Sequence, residues 1–208
     1  MNPSSFASAI GAPAWSLFGV EPLRAALEYA SMRLMDKTAH PVGDGHPVVI
    51  FPGLATDRHA IEPLKSFCQS LGYAAYDWGR GFNTGPQGDI DEWLDELAIH
   101  VRQLTSAHDG RISLIGWSLG GIYAREIAKK LPDRVRHVLT IGTPFAGSAE
   151  QTHAAWVYRM VNGQSAALDE EVQQRLATAP PVPTTSIYSR SDGIVSAESS
   201  IATGPATW

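Results

Sequence analysis

The chain has 208 residues, 44% of them hydrophobic, enough to bury one sizeable core but short for two. With 18% charged residues and a net charge of −5, it lacks the composition of a disordered chain and the cationic stripe of a nucleic-acid binder. It also has no apolar run of about 18 residues that would make an integral membrane segment. The single cysteine, Cys68, leaves no internal disulfide to form. No Lys or Arg precedes Arg24, so residues 1–20 make a poor secretory leader and a cytoplasmic compartment is expected.

Residues 1–20 are rich in Ser, Ala, Gly and Pro and carry no periodic signal. After Pro22, Leu23, Leu27, Ala30 and Leu34 recur at helical spacing, which predicts a helix laid on the core. Val48-Val49-Ile50-Phe51 reads as a strand buried on both faces and ends at Pro52-Gly53. A helix is expected from Glu62 to Leu71, with Pro63 in its first turn and Gly72 as its stop. Tyr73 to Trp78 is a second strand, followed by the glycine-rich loop GRGFNTGPQGD.

Ile90, Trp93, Leu94, Leu97, Val101 and Leu104 trace one helical face. Ile112–Ile115, Val135–Ile141 and Thr185–Tyr188 are three further strands, and a helix from Ser118 to Leu131 separates the first two. Strand and helix alternate with no hairpin signal, so the fold class is α/β: a mostly parallel sheet of five or six strands flanked by helices. Residues 145–183 are longer than a crossover needs. Helices near 149–162 and 167–177 would make them a small helical cap inserted in a single domain spanning 1–208.

Chemistry concentrates in ISLIGWSLGGIYAREIAKKL, where Gly116-Trp117-Ser118-Leu119-Gly120 joins a predicted strand to a predicted helix. In that context G-x-S-x-G is a nucleophile elbow, with glycines two residues either side relieving a turn too tight for side chains. The helix start directs N–H groups and the positive dipole end at an oxyanion formed on Ser118. The alternative is a glycine-rich turn whose serine only caps the helix.

VVIFPGLATD, GWSLGG, LTIGTPFAGS and SRSDGIV occur in an order and spacing that resemble the α/β-hydrolase superfamily, nearest its lipase- and esterase-like bacterial members. The likeness covers residues 47–195. It implies that Ser118 attacks an acyl carbon, that the Leu54 and Leu119 N–H groups form the oxyanion hole, and that Asp192 is the triad acid. Where lipase-like members often carry His, this chain has Phe145.

The resemblance also implies a histidine beyond Asp192, and no histidine lies beyond position 153. Three explanations stand: the 208 residues stop short of the last strand and its histidine, or His59 or His153 serves as the base, or the fold binds a ligand without catalysis. No histidine pair has metal-ligand spacing with a nearby Cys or carboxylate, so neither metal nor cofactor is expected. Trp117, Phe82 and Phe145, with Leu54, Leu119 and Trp156, fall on or near loops at the strands' carboxyl ends. They suggest a pocket for the apolar acyl group of a small ester or lipid-like substrate. A thioesterase or acyltransferase would use the same acyl-enzyme, and a disabled hydrolase fold would serve as an interaction module.

Overall fold

The structure, a computed structural model, describes residues 41–145, 170–189 and 200. In chain order these form β1 (Pro47–Phe51), α1 (Arg58–Ser70), β2 (Ala74–Asp77), α2 (Ile90–Leu104), β3 (Ile112–Trp117), α3 (Leu119–Lys130), β4 (Val135–Ile141), α4 (Glu170–Ala177) and β5 (Thr184–Ile187). Among the described residues the sheet has five parallel strands in the order β2-β1-β3-β4-β5. The expected helix after Pro22 lies outside them, as do residues 146–169 of the expected cap; α4 is the described part of its second helix.

Local signals set the helix starts. Asp57 and Asp89 cap α1 and α2, their carboxylates accepting from the His59 N–H and from the Asp91 and Glu92 N–H groups. The Asp57 cap starts α1 at Arg58, four residues before Glu62, where the sequence suggested. Pro63 therefore lies inside the helix, and its missing N–H leaves the carbonyl of exposed His59 without a helical donor.

Every residue of β1 is buried, and period-2 alternation divides them between two cores. Val49 and Phe51 join residues of α2 and α3, while Val48 and Ile50 join Ile61 and Cys68 of α1. Leu97 and Val101 of α2 are fully buried, each stabilising the fold by roughly 1.5–3 kcal/mol. The strand order explains this division. The chain moves from β1 to β2 in one direction, then returns across β1 to β3 and onward to β4. Right-handed crossovers put α1 on one face and α2 and α3 on the other. The loops leaving β1 and β3 therefore diverge to opposite faces. That divergence makes the carboxyl edge between β1 and β3 the switch point, where such sheets place their ligands.

α4 is tied to this body by Arg125 of α3, whose Nη2 donates to the carbonyls of Leu176, Ala177 and Thr178 at 3.0–3.2 Å. Burial pushes the Arg125 pKa down to about 10, with the Glu126 carboxylate opposing the shift. Arg125→Met should lower unfolding free energy by about 2–4 kcal/mol, because three helix-end carbonyls lose their donor. Urea unfolding measures this, and a loss below about 0.5 kcal/mol would mean that water replaces the guanidinium without cost.

Candidate active site

Ser118 stands at this switch point, between the end of β3 and the start of α3, with φ 52° and ψ −122°. Positive φ in a residue with a Cβ costs on the order of 1–3 kcal/mol and must be imposed by the surroundings. The Ser118 N–H donates to the Ile141 carbonyl at 2.9 Å, and its own carbonyl accepts from the Gly121 N–H at 3.0 Å. Its side chain makes no capping hydrogen bond, so the hydroxyl is not spent as an N-cap.

Three glycines make the turn possible, each for a different reason. A Cβ on Gly116 would lie 2.3 Å from the Gly120 carbonyl oxygen, the cross-turn collision anticipated from the motif. A Cβ on Gly120 would meet the Phe51 carbonyl oxygen at 2.3 Å, so this glycine admits the loop after β1. A Cβ on Gly121 would fall 1.9 Å from Thr143 Oγ1, so the third glycine admits the loop after β4.

The strand register aligns these loops. Phe51 pairs with Gly116, Trp117 with Ile141, and Ile141 with Ile187, so the segments beginning at Pro52, Ser118, Gly142 and Tyr188 leave one edge together. Leu54 packs against the core cluster that contains Leu119. As the first residue of α3, Leu119 has an N–H with no carbonyl a turn earlier to bind. Asp192 follows β5 in the chain and lies outside the described residues, as do His153 and Trp156.

The residues expected around a pocket separate. Trp117 is 38% exposed, with its ring against Gly53, and Phe82 is 57% exposed. Ile187 and Tyr188, which the sequence reading did not single out, add exposed apolar surface at the same edge. Phe145 is a correction: it is 1% exposed, with the Arg125 guanidinium carbon 3.8 Å from its ring centroid. It is an interior residue in a cation–π contact and not an open pocket wall. Sequence could not place it there, because Arg125 looks like one more charge on a surface helix.

No described histidine hydrogen-bonds to Ser118. His59 is exposed in the first turn of α1. His100 contacts the Trp78 carbonyl, His108 the Tyr76 hydroxyl and His137 the Thr185 hydroxyl. His46 makes a serine–histidine–aspartate line: its Nε2 is 2.8 Å from Ser113 Oγ and its Nδ1 meets Asp44. Hydrogen bonds from His46, then from Arg136, hold the Asp44 carboxyl well below the usual range. Ser113, however, is the second residue of β3, paired with Val48 on one side and with His137 on the other, beside a register shift in the β3–β4 pairing. That leaves no turn to present its hydroxyl and no helix start for an oxyanion. The line is a polar brace at the amino end of the sheet.

Sequence reasoning also missed Asn83, which is 0% exposed. Its backbone exchanges hydrogen bonds with the loop after β1: the Ala55 N–H donates to the Asn83 carbonyl, and the Asn83 N–H to the Thr56 carbonyl, both at 2.8 Å. Asn83 Nδ2 donates to the Pro52 carbonyl at 2.9 Å, and Oδ1 accepts from the Tyr123 hydroxyl at 3.2 Å. Thr56 Oγ1 donates to the Gly53 carbonyl at 2.7 Å. Tyr123 is buried among Trp78 and Trp93, and that burial pushes its phenol pKa upward. Among the described residues no group of His, Cys, Asp and Glu could hold a metal, and no helix is long and apolar enough to cross a membrane.

Comparison with known proteins places the chain by family and by fold. A triacylglycerol lipase of Burkholderia plantarii is 34% identical over 152 residues, covering 66% of this chain and 40% of the lipase. A pimeloyl-[acyl-carrier protein] methyl ester esterase of Shewanella woodyi is 30% identical over 103 residues, covering 49% of this chain and 38% of the esterase. The matched region thus spans about two fifths of these relatives' lengths. Among solved structures, Aspergillus fumigatus lipase B is similar in fold, with a TM-score of 0.52 at 20% identity over 79% of this chain and 44% of that one. A monoacylglycerol lipase of Paleococcus ferrophilus also scores 0.52, at 15% identity over 77% of this chain and 79% of its own. The profile of the alpha/beta hydrolase family matches residues 48–199, from the first residues of β1 past β5. With its parallel sheet, its strand reversal at β1 and its strained serine turn after β3, the chain belongs to the alpha/beta hydrolase family.

Proposed function

We propose that the protein is a serine hydrolase that cleaves carboxylic esters of apolar acyl groups through an acyl-Ser118 intermediate. The observation that carries this reading is Ser118 itself, half-buried at the sheet's switch point with positive φ and a hydroxyl not used as a cap. Strain of this kind persists only where the surroundings over-determine it. In the proposed reaction Ser118 Oγ bonds to the ester carbonyl carbon while its proton passes to a base. The carbonyl oxygen becomes an oxyanion facing the Leu54 and Leu119 N–H groups. Collapse expels the alkoxide, which takes up the proton, and water then releases the acid by the same route.

Asp192 is the proposed acid that orients the base. The exposed apolar edge of Trp117, Phe82, Ile187 and Tyr188 supports an apolar acyl group, as do the esterase and lipase names of the relatives. A ligand-binding role without catalysis is the second reading, favoured by the lack of a histidine bonded to Ser118 among the described residues. A fluorophosphonate probe distinguishes the two: in the full-length protein it should attach to Ser118 and be mapped there by peptide mass spectrometry. Failure of the probe to react at Ser118 would favour the binding role.

A further inference from the structure

We propose that Asn83 and Thr56 are positioning residues that preset the Leu54 N–H to receive an oxyanion formed at Ser118; this rests on the serine-hydrolase reading above. The argument turns on two consecutive peptide planes. In a trans peptide the C=O and the following N–H point in opposite directions, so holding one aims the other. The Gly53 carbonyl, held by Thr56 Oγ1 at 2.7 Å, belongs to the same plane as the Leu54 N–H. The preceding Pro52–Gly53 plane is held through the Pro52 carbonyl by Asn83 Nδ2 at 2.9 Å. No peptide bond in this stretch is cis, so the relation holds in both planes.

The clamp is anchored well beyond the loop. The paired backbone bonds of Asn83 fix Ala55, which has φ 56°, and Thr56, the residue whose hydroxyl does the aiming. The Asn83 amide also accepts from Tyr123, which belongs to α3, the helix that begins just after Ser118. Both proposed oxyanion donors, Leu54 and Leu119, are thus referred to one buried asparagine. A buried amide escapes its desolvation cost only while both its ends stay bonded, so the Asn83 partners are held in one geometry, whereas a hydrophobic residue there would pack the loop without aiming it. Preorganised donors accelerate acyl transfer because they do not have to reorient as charge develops.

The test measures hydrolysis of a short p-nitrophenyl ester by the full-length protein and its Thr56→Val, Thr56→Ser, Asn83→Asp and Ser118→Ala variants. Thr56→Val keeps the side-chain shape and removes the donor; Asn83→Asp removes the Nδ2 donor. Each should lower kcat roughly ten- to a hundred-fold with KM within about two-fold, less than deleting an oxyanion donor outright. Thr56→Ser should recover most of the loss. Wild-type kcat in Thr56→Val, or equal losses in Thr56→Val and Thr56→Ser, overturns the positioning role while leaving the serine reading intact. Full activity in Ser118→Ala, or no hydrolysis by the wild-type protein, overturns the serine reading itself.

Discussion

Replacing Ser118 by glycine should abolish ester hydrolysis and at the same time make the protein more stable. The activity loss follows from removing the hydroxyl that would carry the acyl group, and it should be at least about 10³-fold in kcat/KM. The stability gain follows from the backbone. At φ 52° a Cβ is strained, and glycine relieves that strain by roughly 1–3 kcal/mol. Ser118→Ala separates the two effects. It should lose the same activity but gain no stability, because alanine keeps the Cβ. Urea unfolding of the three proteins, with hydrolysis measured in parallel, reads both quantities. If glycine and alanine variants unfold alike, the turn stores no strain, and the reason for treating Ser118 as deliberately presented disappears.

The second large effect concerns the glycines around the turn. Gly116→Ala and Gly120→Ala both drive a methyl to 2.3 Å from backbone oxygen, that of Gly120 in the first turn of α3 and that of Phe51 at the end of β1, and neither stretch of backbone can step aside. Each should destabilise by about 3 kcal/mol, at the upper end of the range for overpacking. Gly121→Ala collides instead with a side chain, Thr143 Oγ1 at 1.9 Å, so Thr143→Ala should return about 1 kcal/mol in a double-mutant cycle. Gly110→Ala is the control, since a Cβ there meets nothing within 4 Å. It should change stability by less than about 0.5 kcal/mol. Gly110 lies in the loop between α2 and β3, so equal losses at Gly116 and Gly110 would show that crowding does not govern the turn.

Much of the architecture is legible in the chain because local rules agree with the tertiary result. Val48–Phe51 is apolar throughout and forms a strand buried on both faces; Ile90–Leu104 is amphipathic and buries its Trp93, Leu94, Leu97 and Val101 face. The Gly-Trp-Ser-Leu-Gly turn falls between strand and helix, as its spacing requires. Errors at element ends are small and have local causes, such as the Asp57 cap that starts α1 earlier than Pro63 suggested. Phe82 and Asn83 show where local rules fail. Hydropathy would bury the phenylalanine and expose the asparagine, yet Phe82 is 57% exposed and Asn83 0%. The asparagine goes inside because the loop after β1 offers it a carbonyl acceptor, Pro52, and backbone partners at Ala55 and Thr56. Those partners are about thirty residues away in the chain, so no local pattern marks them.

By itself, then, the sequence determined the α/β class, most strand and helix positions and the candidate serine, because periodicity, caps and the glycine-spaced turn act over a few residues. Only the tertiary structure decided which loops share an edge, why Gly120 and Gly121 must be glycine, and that Phe145 lies under Arg125. It alone decided, too, that Asn83 braces the loop proposed to hold the oxyanion. Each of these depends on strand order and register. Reversal of the order of strand addition at β1 brings the loops after β1 and β3 side by side at one edge, and contacts between segments so far apart in sequence arise only once the sheet is assembled.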